Sequence, residues 1–206
     1  MSFASSVARA LIPATALVVL SAPATANPAS DLKQVQAHLA ATSSLVANFT
    51  QTDGKGRQLP GTLQLKKPGK IRFEYGRGAN MLLVGNGKTL TFIDYDVGQK
   101  NNWAVANSPL SVLMSPQPNL GRIARITDSG NPNVIVVRAR DARRPEFGTL
   151  ILAFVKSPSA PAGLRLDGWT AIDAQNKKTT VRLSGQRYNV AVADSAFTYA
   201  EPKKRR

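Results

Sequence analysis

The stretch LKKPGKIRFEYGRGANMLLVGNGKTLTFIDY, residues 65–95, alternates apolar and polar side chains between two turn signals. In KIRFEY, Ile71, Phe73 and Tyr75 fall on one side of an extended chain and Arg72 and Glu74 on the other, because successive strand side chains point to opposite faces. Pro68-Gly69 turns the chain before this segment. Asn86-Gly87 follows MLLV and is the strongest two-residue hairpin signal present. The reading is a run of antiparallel strands, basic outside and apolar inside. What lies against the apolar side decides the fold.

Working outward, GTLQLKK places Leu63 and Leu65 on the same inner face, and SLVANFTQ starts a strand near Leu45, with a loop over 52–57 between them. Upstream the period changes. Leu32, Val35 and Leu39 stand at helical spacing, with Ser30 as N-cap and Asp31 in the first turn, which predicts a helix over 31–41. Downstream, TLTFIDY puts Leu90 and Phe92 inside, and a short strand follows near Trp103. SPLSVLMSP then breaks the alternation. Ser108 caps, Pro109 suits the first helical position, Leu110, Leu113 and Met114 form an apolar face, and Pro116 stops the helix. Strands follow over 123–126, 134–139, 149–156, 164–173 and 179–184, with a last extended piece over 191–199 that includes Phe197. The expected fold is mainly β: a single curled antiparallel sheet, an incomplete barrel of roughly ten short strands, with two short helices. Two such helices are too few to cover a whole face, so something must occupy the concave side.

The chain has 206 residues, which suits one domain. Residues 1–26 read as a secretory signal peptide: Arg9, an apolar run from Ala10 to about Leu20, and Ala24-Thr25-Ala26 as the cleavage site. Pro13 and the shortness of the run disfavour a membrane anchor. The organisation expected is therefore a signal peptide (1–26), one β domain (27–202) and a basic tail (203–206). There is no cysteine, hence no disulfide, thiolate nucleophile or lipid-bearing N-terminal cysteine. Without Arg9, 26 Lys+Arg against 12 Asp+Glu leave a charge of +14, which attracts polyanions without naming one.

No catalytic constellation emerges. The single histidine, His38, reads as a partly exposed helix residue, since a metal or catalytic site needs further groups beside it. Asp94 and Asp96 would face the same way in a strand, but they end one, where solvated Asp is ordinary. No nucleophile elbow, phosphate loop or metal-ligand spacing is present. Neither an enzyme nor a cofactor is expected. The basic residues form two groups: Lys55, Arg57, Lys66, Lys67, Lys70, Arg72 and Arg77, then Arg138, Arg140, Arg143 and Arg144. Aromatics do not share their face, which argues against nucleic acid. A solvated basic face is the first reading, and a docking surface for an acidic partner or a membrane the second.

VANFTQ (46–51) after a capped helix, GTLQLKKPGKIRFEY (61–75), LLVGNGKTLTFIDYD (82–96), SPLSVLM (108–114) and NVAVADSAFTYAEP (189–202) together resemble the periplasmic lipoprotein carrier family, LolA, of Gram-negative bacteria. The resemblance implies an incomplete barrel with a helical lid, a periplasmic location, action as a monomer, and acylated lipoproteins as cargo. Its implied partners are an inner-membrane transporter that releases lipoproteins and an outer-membrane receptor. Leu63, Leu65, Ile71, Phe73, Tyr75, Leu90 and Phe92 would line the lipid cavity, and Leu32, Val35, Leu39, Leu110, Leu113 and Met114 the lid. Lys67 stands where the family commonly has the arginine that latches the lid, Ile71 where a larger aromatic is frequent, and Asn86 where Asp is usual. Lysine lacks arginine's planar fork of donors. The alternatives are a carrier of another amphiphile or an envelope sensor on the same fold and, in a different class, a secreted basic hydrolase or nuclease.

Overall fold

The computed structural model describes residues 27–76 and 78–203. The expected signal peptide, Arg77 and the last three residues of the basic tail lie outside the described residues.

Helix α1 (Pro28–Ala41) begins three residues before its sequence-predicted start. Asn27 is the N-cap, its Oδ1 accepting the Ala29 N–H at 3.1 Å, and Pro28 takes the first helical position, where its missing N–H costs nothing. Ser30 is inside the helix instead, its hydroxyl donating to the Asn27 carbonyl at 2.8 Å. An antiparallel meander follows: β1 (Ser44–Thr52), β2 (Gln58–Lys66), β3 (Lys70–Tyr75), β4 (Met81–Asn86), β5 (Thr89–Asp94) and β6 (Gln99–Ala104). After a one-turn helix α2 (Ser111–Met114) comes a second: β7 (Ala124–Thr127), β8 (Val134–Ala139), β9 (Thr149–Lys156), β10 (Leu164–Ile172) and β11 (Lys178–Tyr188). The Asn86-Gly87 hairpin forms as read, with Gly87 at φ +105° and Asn86 Oδ1 accepting the Lys88 and Thr89 amides.

All eleven strands form one sheet in the order β6-β5-β4-β3-β2-β1-β11-β10-β9-β8-β7. The pairing of β1 with β11 joins the two meanders and leaves β6 and β7 as the edges. These edge strands are consecutive in sequence yet at opposite ends of the sheet. Residues 105–123, which carry α2, must therefore cross from one edge to the other, and they do so over the concave face.

That face is filled from within. Leu63, Phe73, Leu83 and Phe92 stand in register across β2 to β5, and Val137, Leu152, Trp169 and Val181 across β8 to β11. Between the two rows, Phe49 meets Phe73 and Tyr75 edge-on at 5.3 Å each, and Phe73 meets Trp169 at 6.0 Å. Gly61, opposite Phe49, makes this possible: a Cβ there would lie 2.5 Å from the Phe49 ring.

The last piece, read as extended over 191–199, joins no sheet, and a 3-10 turn over Asp194–Phe197 interrupts it. β11 is already hydrogen-bonded on both sides, so no edge is open to the segment that follows it. Residues 189–203 run instead as a strap over the convex face of β3–β5, with Phe197 buried among Leu82, Val84 and Ile93. Lys66 and Lys70 reach Asp194 at 2.6 and 2.9 Å, Arg72 Nη1 donates to the Thr198 carbonyl at 2.9 Å, and Lys100 pairs with Glu201 at 2.6 Å. The basic outer face read at residues 65–95 is thus largely engaged by the chain's own C-terminal segment.

Candidate functional site: the covered inner face

Of the residues expected to line a cavity, Leu63, Leu65, Ile71, Phe73 and Leu90 are all at most 3% exposed and share one hydrophobic cluster. Val35, Leu39, Leu113 and Met114 belong to the same cluster, with Leu32 and Leu110 packed partly buried against it. The alternation of β2, β3 and β5 and the helical spacing of α1 therefore converge on one interior. Tyr75 is half-buried, its hydroxyl donating to Gln51 Oε1 at 2.8 Å, and burial raises its pKa.

Phe92 shares this face through its pairing with Leu83, but it is only half-buried and stands outside the buried cluster. Its neighbour on β6 is Asn101, which brings no apolar cover. Trp103, paired with Leu90, lies on the same side and is 38% exposed. Leu83, Phe92 and Trp103 thus extend the apolar interior to the edge of the sheet, beyond the reach of the helices. Leu83 and Trp103 were not singled out in the sequence. An isolated tryptophan in the polar segment QKNNWA was the available signal.

Both helices end on the β2–β3 turn. Lys67 Nζ donates to the Leu39 carbonyl, one of the last-turn carbonyls of α1 that have no intrahelical partner. A cation at that end also complements the helix dipole. The Gly69 amide donates to the Met114 carbonyl, the end of α2, at 3.0 Å, and the Lys67 amide to the Ser43 carbonyl at 2.8 Å. Lys67 and Gly69 between them thus contact both helices and the connection after α1. Burial lowers the Lys67 ammonium to about 8.

His38 departs from its expected exposure. It is 1% exposed, sits edge-on to Phe154 (5.3 Å) and Tyr188 (5.4 Å), and its Nδ1 donates to the Pro161 carbonyl at 2.8 Å. Burial lowers its pKa despite that hydrogen bond. Gln34 Nε2 donates to the Ala162 carbonyl at 3.0 Å and Gln36 Nε2 to the Pro118 carbonyl at 3.3 Å. His38 is therefore one of three stitches fixing α1 to neighbouring loops. Asp94 Oδ1 accepts the Asp96 amide at 3.0 Å, which makes that acid a turn-former. Among the described residues no three of His, Cys, Asp and Glu converge into a metal-binding group.

An open, curled sheet whose two free edges are bridged by a helical segment lying on its apolar concave face defines a class: the half-closed β-barrel with a helical cover. The family model described as "Outer membrane lipoprotein carrier protein LolA" matches residues 40–200. An outer-membrane lipoprotein carrier protein of Chromobacterium violaceum is 27% identical over 197 residues, 92% of each chain. One of Pseudomonas fluorescens is 28% identical over 205 residues, 95% of each. Among solved structures, a LolA superfamily protein from Nitrosomonas europaea is similar at a TM-score of 0.45 and 12% identity, covering 85% of this chain and 99% of that one. The chain belongs to the LolA family of outer-membrane lipoprotein carriers.

Proposed function

We propose that this protein is a periplasmic carrier that takes the acyl chains of lipoproteins onto the inner face of its sheet and moves them from the inner to the outer membrane. The observation that carries this reading is that the inner face is covered by helices whose apolar side chains are exchangeable in kind with acyl chains. Leu32, Val35, Leu39, Leu110, Leu113 and Met114 form the lid, and Leu63, Leu65, Ile71, Phe73, Tyr75, Leu90 and Phe92 receive the cargo when it withdraws. Fully burying a Val, Leu or Met side chain contributes about 1.5–3 kcal/mol, so the four fully buried lid residues, Val35, Leu39, Leu113 and Met114, contribute roughly 6–12 kcal/mol. An acyl chain contributes about 0.8 kcal/mol per CH₂, so the lid offsets roughly 8–15 methylenes of bound chain. By closing, the lid restores part of the burial that is lost when cargo leaves. The apolar edge at Leu83, Phe92 and Trp103 gives an incoming chain a first foothold.

The protein is exported by a signal peptide cleaved after Ala26, works as a monomer, receives cargo from a lipoprotein-releasing transporter and delivers it to a receptor at the outer membrane. The test is release. Spheroplasts holding newly made acylated lipoproteins in the inner membrane are incubated with purified residues 27–206, and the soluble fraction is analysed. Soluble one-to-one complexes of lipoprotein and carrier are expected. Their absence, with folded protein and active export machinery, overturns the lipoprotein assignment.

A further inference from the structure

A second surface stands apart from the covered face. Six arginines lie between positions 122 and 144, and the fold gathers them at one corner of the sheet, beside its β7 edge. Arg125 and Arg138 are directly opposite each other on β7 and β8 and exposed. Like charges in that position repel. No carboxylate bridges them among the described residues, and Arg125 turns to the Ala124 carbonyl at 2.7 Å instead. Arg122 and Arg143, with the paired Arg144 and Asp141, line an open cavity of about 580 Å³. Arg144 holds Asp141 at 3.4 Å and stacks over the Phe147 ring at 4.4 Å. Arg122, Arg138, Arg140 and Arg143 make no salt bridge among the described residues, in contrast to Lys66, Lys70 and Lys100, which the strap engages. The cavity shares Ile123, Asp141 and Arg144 with a 60 Å³ crevice running beneath Val112 of α2.

We propose that this corner docks the protein on a membrane surface by binding the phosphates of anionic phospholipid headgroups. Charge complementarity selects the occupant. Planar guanidinium forks suit phosphate oxygens, and a basic patch of this kind is drawn to anionic bilayers. The half-buried Val112, Ile123 and Phe147 beside it tolerate the interfacial region, and the contact sets α2 next to the bilayer. The proposal concerns the surface of the protein without cargo, so its failure would leave the carrier reading standing.

The test is co-sedimentation of the purified mature protein, free of lipoprotein, with vesicles of phosphatidylglycerol and phosphatidylcholine, or of phosphatidylcholine alone. Binding to the anionic vesicles only is expected, weakening as salt rises. Each surface arginine is worth about fivefold in affinity, so Arg122→Glu with Arg143→Glu should weaken binding at least about 25-fold. A control with the same net charge, Lys33→Glu with Lys177→Glu, should change it less than about threefold, far below the roughly 25-fold loss at the corner. If the charge reversals fail to fold, Arg122→Gln with Arg143→Gln reads the same contrast. Equal losses in both double variants would reduce the effect to net charge and overturn the site. So would equal binding to neutral vesicles, or no binding at all, the result expected if the corner instead serves an acidic protein.

Discussion

Lys67 is held by two opposed effects. Its ammonium donates to a helix-end carbonyl, which stabilises the closed lid, yet it is partly withdrawn from water, which destabilises its charge. When the chain is unfolded, and where lid opening returns the side chain to water, Lys67 keeps its proton up to its ordinary 10.5; in the closed form it keeps it only to about 8. Between those values the closed form carries fewer protons, so raising the pH across that window favours closure. Near neutral pH, below both values, Lys67 is charged in either form and bears the desolvation cost in full. The expected outcome is that the melting temperature of the wild type, measured relative to Lys67→Met, rises between pH 8 and 10.5. A flat difference would show that Lys67 does not titrate in the closed form. Its place was legible in the sequence, because the KKPGK turn marks the position. Its half-burial was not, since the α1 carbonyl it meets lies 28 residues away. His38 was misread for the same reason. Its spacing put it on the helix, but the loop that buries it comes from position 161.

At the scale of elements, the strands were legible where alternation met a turn signal, as at Pro68-Gly69 and Asn86-Gly87. The last segment was legible as extended, but whether it joined the sheet was not. β11, the strand it follows, is paired on both sides by β1 and β10, so it offers the segment no partner. The same apolar residues, led by Phe197, pack on the convex face instead. The helix read at SPLSVLM is a single turn that starts at Ser111, two residues later than read: Leu110 stands at its N-cap, and Ser108 Oγ accepts the Leu110 amide at 3.2 Å in the turn before it. Its apolar face, Leu113 and Met114, belongs to the buried cluster of the inner face. Leu113 is 3% exposed, and a carboxylate there would have no partner in the cluster it joins. Leu113→Glu should therefore hold the lid off the sheet and abolish lipoprotein transfer while the protein stays folded by circular dichroism. Transfer at the wild-type rate by the folded variant would remove α2 from the mechanism.

Across the whole molecule, one topological fact organises the rest. Because β6 and β7 end up at opposite edges, the link between them must span the concave face, so the cover is built into the connectivity. The sequence implied a curled sheet with something on its concave side. The structure supplies that something as α1, α2 and the sheet's own aromatic side chains. The central claim is that acyl chains enter this interior. The protein has two tryptophans: Trp103 at the exposed edge and Trp169 buried in the interior, edge-on to Phe73. With Trp103→Phe, Trp169 is the only indole left to report, and bromine on an acyl chain quenches its emission on contact. The account predicts that a lipopeptide with brominated acyl chains, added to this variant, quenches Trp169 as the complex forms. A lipopeptide that co-elutes with the protein and leaves Trp169 emission unchanged would contradict it, for the acyl chains would then be held somewhere other than the inner face.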